Sequence, residues 1–373
     1  MLARSERGTS RAIRTFGAAV ALPSGSVLAT CRVGSTKDSD DEHIEMFRSQ
    51  DGGGSWSAAE TLTVAHPNGM PGSPKLCYLT ALSKGRLLAA CMWIDRAAHP
   101  GKPLFNAETE GCLPMDILLS ESSDEGWTWG PWRHVSMPAD IGPASLTNPI
   151  LHLANGALAM SIETNKTYLD RGKWFQKVVI FHSHDDGRTW GPPIVAGEDT
   201  TGRIFNWDLR CCVAPDGQIA TFAWTYDTQI GRYLNIHRRI SRDHGRTWSA
   251  AEDLGITDQA GPPVALPDGR VVLIWVDRFV THSIRARIAM SVDAPFEPSS
   301  EIVLYTHASK ATREDSTGEL LAEMGAWSYG LPYATLLPDG DILVLFYAGD
   351  NAAMDIRWKR LGLTLPTHAD KPT

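Results

Sequence analysis

The chain has 373 residues, of which 43% are hydrophobic, and a formal net charge of -8 at pH 7. This length and composition are sufficient for one large domain with a sizeable core. The acidic balance argues against nucleic acid or an anionic membrane surface as a general partner. Residues 1–15 contain no apolar segment like that of a signal peptide, and no window is long enough to span a membrane, so we expect a cytoplasmic protein.

The first predicted element is a hairpin whose turn, Pro23-Ser24-Gly25, separates the apolar runs 19–22 and 26–29. Apolar runs of this length between turn residues are typical of β-strands. The same arrangement recurs at intervals of 52 to 71 residues, which predicts six hairpins in all. The later turns are Ser83-Lys84-Gly85, Ala154-Asn155-Gly156, Pro215-Asp216-Gly217, Pro267-Asp268-Gly269 and Pro338-Asp339-Gly340.

A second repeat, Ser-x-Asp-x-Gly-x-Ser/Thr-Trp, occurs four times and out of phase with the first. Its Asp can accept hydrogen bonds from turn amides, its Gly supplies a positive φ, and its Trp offers a large apolar face. We therefore expect these Asp residues to have structural roles and no catalytic one. The four copies occupy residues 49–56, 122–129, 183–190 and 241–248.

Together the two repeats define a unit of four strands with a variable loop between the second and the third. A period of 50 to 70 residues with four strands per unit predicts an all-β fold, a six-bladed β-propeller of four-stranded antiparallel blades. Residues 10–16 are expected to join the last blade as a closing strand, which removes free edges. We predict a single domain over residues 1–373, ending in a short polar tail at 366–373.

The Ser-x-Asp repeat at these spacings resembles the Asp-box (BNR) repeat of the sialidase, or neuraminidase, superfamily. The resemblance covers nearly the whole chain. It implies a glycoside hydrolase in which three arginines hold a substrate carboxylate, since guanidinium forks match carboxylates. The resemblance also implies an Asp on a first-blade loop and a Tyr nucleophile assisted by a Glu, outside the usual two-carboxylate scheme. Asp boxes also occur in other glycan hydrolases and in propellers that only bind.

In the first unit, Arg14 stands where the family has its Arg-Ile-Pro motif, although the Pro is missing, and Arg32 follows 18 residues later. The acidic run at 38–45 resembles the loop that carries the family's catalytic Asp. The resemblance assigns this role to Asp41, with Asp40 as second choice. These residues are expected to converge on one face near the propeller axis. The alternative is that the acidic run is a solvated loop and that Arg32 forms a structural salt bridge with one of its carboxylates, without contacting a ligand.

In the fourth unit, Asp208 lies nine residues before Gly217, at the position of the family's Glu. The second arginine of the family is replaced by Trp224, and Arg210 is its candidate substitute. The alternative for Arg210 is a salt-bridge partner on the strand.

In the last two units, the resemblance places the third arginine near Ser283 and the nucleophilic Tyr at Leu331. Tyr329 shares the strand parity of Leu331 and is the candidate nucleophile. Displaced candidates for the third arginine are Arg278, Arg285 and Arg287.

The ends of the second strands carry aromatic, carboxylate and amide side chains in most units. Such a set suits sugar rings, which present one apolar face and a rim of hydroxyl groups. The loop at 95–114, with Phe105, is expected to form a wall of the cleft. The strand-end residues are Trp93, Asp95, Arg96, Glu163, Asn165, Trp224, Tyr226, Asp227, Trp275, Asp277, Arg278, Tyr347, Asp350 and Asn351.

These patterns predict a sialidase-like exo-glycosidase acting on a small acidic glycan, without a cofactor or metal. One alternative is a hydrolase that uses two carboxylates, such as Asp41 and Asp208, on another sugar. Another is a sugar-binding propeller without turnover. The six cysteines lack metal-ligand spacing and are expected to be buried free thiols. The oligomeric state leaves no mark in the sequence.

Overall fold

The structure is a computed structural model that describes residues 1–308 and 327–363. The fold is all-β, because the described residues form 26 strands and only three single turns of 3-10 helix. In the described part of the chain, no helix has the length and apolar character needed to cross a membrane. The predicted polar tail at 366–373 lies outside the described residues.

The strand bounds follow the alternation of apolar runs and turns seen in the sequence. In chain order the strands are β1 (Ile13–Ala21), β2 (Val27–Gly34), β3 (His43–Ser49), β4 (Glu60–Leu62), β5 (Gly72–Ala81), β6 (Leu87–Asp95), β7 (Met115–Ser122), β8 (Arg133–Val135), β9 (Ser145–Leu146), β10 (Leu151–His152), β11 (Leu158–Glu163), β12 (Lys177–Ser183), β13 (Ile194–Glu198), β14 (Ile204–Val213), β15 (Ile219–Asp227), β16 (Arg232–Tyr233), β17 (Asn235–Ser241), β18 (Glu252–Thr257), β19 (Gln259–Ala260), β20 (Val264–Ala265), β21 (Val271–Asp277), β22 (Ser283–Ala289), β23 (Ile302–Thr306), β24 (Tyr329–Leu336), β25 (Ile342–Asp350) and β26 (Ala353–Leu361).

The strands form a propeller with four separate blades and one larger sheet. The separate blades are the sheets β5–β8, β9–β13, β14–β18 and β19–β23, each of four or five strands. The larger sheet has seven strands in the order β24-β25-β26-β1-β2-β3-β4. Neighbouring strands pair in antiparallel fashion except β1 and β26, which pair in parallel where Ile13 meets Met354.

The predicted count of six four-stranded blades is wrong. The first and last units are not separate sheets, because the pairing of β1 with β26 merges them into one continuous sheet. Three of the separate blades also contain a fifth short strand. In two of these blades the inner strand is interrupted, between β9 and β10 and between β19 and β20, and in the third β16 pairs with the end of β15.

The four Ser-x-Asp turns have the hydrogen bonds that their sequence favours. In the second turn, Gly126 N donates to Ser122 Oγ at 2.8 Å, and Thr128 N and Oγ1 donate to the Asp124 carboxylate at 2.9 and 2.6 Å. These bonds, with the Thr128 hydroxyl first, lower the pKa of Asp124 to about 2. The turn tryptophans Trp56, Trp129, Trp190 and Trp248 pack against separate hydrophobic clusters between the sheets.

The core consists of apolar side chains packed between neighbouring sheets. The longest inner and second strands are nearly all buried, for example every residue of β2, β15 and β21. All six cysteines are buried free thiols, as expected from the sequence. This packing leaves the ends of the inner strands and the loops between second and third strands to form a site.

Candidate active site

An open cavity of about 130 Å³ lies where the inner strands converge, and side chains from all five sheets line it. Loops that join second to third strands also contribute to its wall. These are the loops at 35–42, 96–114 and 164–176, which supply Lys37, Phe105 and Trp174. As expected, the loop at 95–114 forms part of the wall.

The inner strands depart from regular pairing at the depth of this cavity. A β-bulge re-aims the side chain at the extra residue, and here bulges direct Phe16, Lys75, Asp208 and Leu331 to the cavity lining. The backbone takes the left-handed conformation at Phe16, Asp208 and Leu331, with φ of 51°, 47° and 43°. Register shifts occur between Thr15 and Ala18, Pro74 and Leu76, Trp207 and Arg210, and Gly330 and Tyr333.

Two carboxyl groups, Glu163 and Asp208, line the cavity together. Glu163 ends β11 and is buried, with Leu209 N donating to its Oε1 at 3.0 Å. Burial, followed by the nearby charge of Asp208, raises the pKa of the Glu163 carboxyl to about 8. Glu163 therefore carries a proton at neutral pH.

Asp208 has different hydrogen-bond partners from Glu163. Its Oδ1 accepts a bond from Arg210 Nη2 at 3.0 Å, and its Oδ2 accepts one from Gln259 Nε2. Arg210 is fixed in turn by Tyr78 Oη at 3.1 Å and by the carbonyl of Thr147. The two carboxyl groups therefore have contrasting partners: Glu163 accepts from a backbone amide, whereas Asp208 is bound by a guanidinium and by a side-chain amide.

Arg278 reaches the cavity from the end of β21. Its Nη1 donates to both oxygens of Asp258 at 3.1 Å, and its Nη2 donates to Gln259 Oε1 at 2.7 Å. The side-chain amide of Gln259 thus links Arg278 to Asp208. Gly330 is required for this approach, because it has φ 145° and a Cβ there would lie 2.5 Å from Arg278 Nη2.

Lys37 and Lys75 bring two further basic side chains to the cavity lining. Lys37 Nζ donates to the Trp327 carbonyl, with Tyr347 Oη at 3.5 Å. Burial, then the charges of Arg278, Arg32 and Lys75, lower the pKa of the Lys37 ammonium well below its usual value. Burial also lowers the pKa of Lys75, whose ammonium pairs with Glu42.

The loop at 35–42 is held over the cavity by buried charges. Lys75 Nζ donates to the Lys37 carbonyl at 2.7 Å and to Glu42 Oε1 at 2.8 Å. Asp38 accepts bonds from Leu104 N and from Arg96 Nη2, each at 2.6 Å. Although burial opposes it, the charges of Lys75 and Arg96 lower the pKa of Asp38 to about 2. These bonds join the loops at 35–42 and 96–114.

Aromatic rings form one side of the cavity. Trp207 and Trp224 lie on neighbouring strands with centroids 6.1 Å apart, and Tyr233 stacks on Trp224 at 4.2 Å with the planes 2° apart. The buried indole N–H groups of Trp174 and Trp224 have no hydrogen-bond partner among the described residues. Unpaired donors beside an aromatic surface can bind the hydroxyl groups and the apolar face of a sugar.

A second, larger cavity of about 500 Å³ lies on the opposite face, among the turns of the third and fourth units. Its lining includes His182, His184, His244, Trp190 and Arg246. It contains the structural carboxylate Asp185 but no pair of carboxyl groups in contrasting settings. The cavity at the inner strands is therefore the candidate active site.

In sequence and in fold, this chain is similar to sialidases. A curated sialidase from Micromonospora viridifaciens is 26% identical over 258 residues, which are 61% of this chain and 36% of that protein. An intramolecular trans-sialidase from Ruminococcus gnavus, solved with oseltamivir carboxylate, aligns with a TM-score of 0.65, 14% identity and 96% coverage of both chains. This structural similarity shows that the two chains share the β-propeller fold.

The same fold occurs in another solved glycosidase. An alpha-L-arabinanase from Penicillium chrysogenum, solved with arabinobiose, aligns with a TM-score of 0.63 and 17% identity, covering 96% of this chain and 98% of that one. No protein-family model matches the chain. The chain spans little more than a third of the length of the curated sialidase, 36%.

Of the residues given a catalytic or binding role from the sequence, Asp208, Trp224 and Arg278 line the cavity. Arg210 stands directly behind Asp208 and bonds to it. Three further residues of the strand-end set, Glu163, Asn165 and Tyr347, and Phe105 of the predicted wall loop also line the cavity.

The first-unit residues do not converge at the cavity. Arg14 is buried on Glu45, whereas the guanidinium of Arg32 is buried on Glu42. Asp41 bonds within its own loop, where its Oδ1 accepts from Ser35 N and Oγ at 3.1 Å. Arg32 Nη2 and Asp41 Oδ1 do lie near each other, at 3.3 and 3.4 Å from the position that a Cβ of Gly34 would take. Neither they nor Arg14 lines the cavity, and each arginine pairs with a local carboxylate. Asp40 is exposed, 3.7 Å from Arg96 Nε.

Five other predicted residues lie outside the cavity lining, namely Tyr329, Asp95, Asp277, Trp93 and Arg285. Tyr329 is 2% exposed and donates from its hydroxyl to the carbonyl of Asp277 at 3.3 Å. The carboxylates of Asp95 and Asp277 accept bonds from the amides of the residues that follow them, Ala97 at 2.8 Å and Val280 at 2.9 Å. Trp93 packs in a core cluster, and Arg285 pairs with Glu301.

Several residues of the cavity were missed or given no role from the sequence. Glu163 was noted as a strand-end residue only, and Lys37, Lys75 and Gln259 were not identified. A signal existed for three of the bulge positions: Phe16, Asp208 and Leu331 each lie nine residues before the turn glycine of their unit. This spacing does not identify Lys75, which lies ten residues before Gly85, or Lys37 in the loop at 35–42.

Proposed function

We propose that this chain is a glycoside hydrolase that cleaves with two carboxyl groups, Glu163 as general acid and Asp208 as the anion. The observation that carries the proposal is the contrast between them: Glu163 is buried with a pKa raised to about 8, whereas Asp208 is bound to a guanidinium. Carboxyl groups whose environments separate their protonation states are the arrangement that glycoside hydrolysis requires.

In the proposed reaction, Glu163 donates its proton to the glycosidic oxygen as the bond to the anomeric carbon breaks. Asp208 stabilises the positive charge that develops at that carbon and either attacks it or activates the incoming water. Arg210 and Gln259 hold the Asp208 carboxylate in place. The anomer formed first, read by NMR, distinguishes a retaining from an inverting reaction.

The Tyr-dependent scheme implied by the resemblance receives less support. Leu331 stands at the bulge where the resemblance places the nucleophile. The nearby Tyr329 is buried and donates to a backbone carbonyl, and burial raises its pKa, so its hydroxyl stays protonated. The two-carboxylate scheme with Glu163 in place of Asp41 therefore fits the geometry better.

We propose an acidic sugar as the substrate, because three basic side chains, Lys37, Lys75 and Arg278, line the cavity, of which Lys75 already pairs with Glu42. Arg278 presents a planar guanidinium that suits a carboxylate, and Asp258 offsets part of its charge. A neutral sugar in the same cleft is the alternative substrate, because the arabinanase has the same fold.

The test is hydrolysis of matched 4-nitrophenyl glycosides: sialosides, uronides and their neutral counterparts. We expect turnover of a uronide or sialoside that is lost in both Glu163→Gln and Asp208→Asn, and retained in Glu198→Gln, a carboxyl of the exposed edge strand β13. Hydrolysis of none of the panel, together with measurable sugar binding, would favour the sugar-binding propeller. Turnover that persists in Glu163→Gln would remove the assigned acid.

A further inference from the structure

Three buried side chains form a series of hydrogen bonds that ends at Asp208. Arg278 Nη1 donates to both oxygens of Asp258 at 3.1 Å, and Arg278 Nη2 donates to Gln259 Oε1 at 2.7 Å. Gln259 Nε2 then donates to Asp208 Oδ2. Asp258, Gln259 and Arg278 are each 1% exposed, so water does not compete for these bonds. The series therefore connects a buried ion pair to the carboxylate of the neighbouring blade.

The amide of Gln259 has one favourable orientation between its partners. A guanidinium group only donates hydrogen bonds, and a carboxylate only accepts them. With the amide reversed, Gln259 would present its NH₂ group to Arg278 and its oxygen to Asp208, and both bonds would be lost. The orientation of Gln259 therefore depends on Arg278, which is held in turn by Asp258.

Asp258 occupies an unusual position in the fold. It is the single residue between β18 and β19, where the chain passes from one blade to the next. Its backbone is left-handed, with φ of 71°, which is uncommon for a residue that has a Cβ and often marks functional sites. Its Oδ2 also accepts from the backbone N of Arg278 at 2.8 Å. The carboxylate thus fixes both the main chain and the side chain of Arg278.

The two oxygens of the Asp208 carboxylate have separate donors. Arg210 Nη2 donates to Oδ1 at 3.0 Å, and Gln259 donates to Oδ2. With Arg210 as its only donor, the carboxylate could rotate about its Cβ–Cγ bond, since terminal carboxylate torsions have broad minima. In the proposed reaction an oxygen of Asp208 must face the anomeric carbon, and a misplacement of about 1 Å can cost about 10²-fold in rate.

We propose that Asp258 is a positioning residue, which acts through Arg278 and Gln259 to fix the reactive orientation of the Asp208 carboxylate. The inference rests on the proposed glycosidase function and deepens it, because it assigns a role in the reaction to a residue that does not line the cavity. Asp258 and Gln259 act along one path, so loss of either disturbs the same step. That step is turnover and not the binding of substrate.

The first test is steady-state kinetics of Gln259→Leu, which removes both bonds at little change in side-chain volume. We expect kcat to fall by up to about 10²-fold, with KM changed by less than about twofold. Asp258→Asn should also lower kcat. The double variant should be no slower than Gln259→Leu alone, because residues that act through one path are not additive. Losses that add in the double variant, or a full kcat in folded Gln259→Leu, would overturn the proposal.

The matched control is Gln218→Leu. Gln218 Nε2 also donates to an aspartate, Asp216 Oδ2 at 2.6 Å, but at a turn outside the cavity lining. This variant should keep the kcat of the wild type. An equal loss of kcat in Gln218→Leu would show that the effect is a general one on the fold and would contradict the positioning role.

The pH profile of Gln259→Glu is a second test, and this variant retains an acceptor for Arg278 where Gln259→Leu fails to fold. A protonated glutamic acid at this position accepts from Arg278 and donates to Asp208, as Gln259 does, whereas an ionised one repels Asp208. The kcat of Gln259→Glu should therefore recover towards that of the wild type as pH falls. A loss of kcat that is the same at every pH would count against the proposal.

Crystal structures of the wild type and Gln259→Leu provide a measurement that needs no turnover. We expect the Asp208 carboxylate to be rotated in the variant, with the bond from Arg210 to Oδ1 retained. An unchanged Asp208 would remove the positioning role even if the wild type hydrolyses glycosides. A rotated Asp208 in a protein that hydrolyses no glycoside would leave the control of Asp208 by Gln259 standing and remove the glycosidase function.

Discussion

The Ser-x-Asp turns and the cavity show two opposite uses of a carboxyl group in one chain. At the turn, Asp124 is exposed, and hydrogen bonds from Thr128 and Ser122 lower its pKa to about 2. At the cavity, burial and a neighbouring anion raise the pKa of Glu163 to about 8. Hydrogen bonds within the turn therefore keep Asp124 as a structural anion. Burial among several blades keeps Glu163 protonated, so that it can donate a proton.

The largest expected effect comes from removing the proton donor. Glu163→Gln keeps the size of the side chain but cannot donate, so kcat/KM should fall by about 10² to 10⁴-fold. The measurement is steady-state kinetics on the glycoside that the wild type hydrolyses. Wild-type activity should also decrease above the raised pKa of about 8, and this alkaline limb should disappear in the variant. A folded variant with full activity would make the contrast between turn and cavity irrelevant to function.

The next effect separates two of the three candidates for the third arginine, Arg278 and Arg285. Arg278→Met should weaken a carboxylated ligand by about 10 to 150-fold, since it removes a charge-assisted bond. It should also lower stability by about 3 to 5 kcal/mol, because the buried carboxylate of Asp258 loses its partner.

Arg285→Met is the matched control for that prediction, because Arg285 pairs with Glu301 away from the cavity. Titration calorimetry and thermal melts of both variants provide the comparison. Equal ligand affinity in the two variants would show that Arg278 is a structural residue only.

At the turns, the expected effect is on stability alone. Trp190→Ala removes a partly buried ring that packs against the core and should cost about 2 to 4 kcal/mol. Activity below the unfolding transition should be unchanged. Trp127→Ala is the control, since this ring is 62% exposed and stacks on Arg48. Loss of turnover in a folded Trp190→Ala protein would contradict the separation of scaffold from site.

The last effect is a slope in the pH dependence of stability. The folded state holds the Glu163 proton up to about pH 8, whereas the unfolded chain releases it near pH 4.5, as a solvated glutamate does. Between these values the folded state binds more protons, so stability should fall as pH rises. The contribution is about 1.4 kcal/mol per pH unit. Denaturant unfolding at several pH values should show a shallower fall in Glu163→Gln, and identical slopes would place Glu163 in a solvated setting.

The repeats predicted the strands and turns well, because each depends on a short local pattern. Gly turns and Ser-x-Asp turns need only their own residues, so their positions could be derived from the sequence. The number of blades could not, since the merging of the first and last units depends on the parallel pairing of Ile13 with Met354. The sequence did place residues 10–16 against the last blade, but it did not show that the same strand continues into the pairing with β2 and so joins the two sheets.

The candidate site was predicted only in part for a related reason. Asp208 and Arg278 were identified through fixed distances from turns or strand ends, and both line the cavity. Arg14 and Arg32 were assigned to the site by resemblance, but in the structure they form salt bridges with Glu45 and Glu42. The role of Glu163 depends on a charge from a different blade, which the sequence around Glu163 does not contain.

The seven-stranded sheet has a consequence for how the chain can be rearranged. Since β26 lies beside β1, and Ala3 pairs with Ile356, the first and last strands are spatial neighbours. The order of strands around the axis is therefore cyclic rather than linear. A circular permutant that joins these strands with a short linker and opens the chain at the 136–144 connection would keep every sheet intact. In such a protein the cavity residues would be unchanged, although Glu163 and Asp208 would come before Phe16 in the chain.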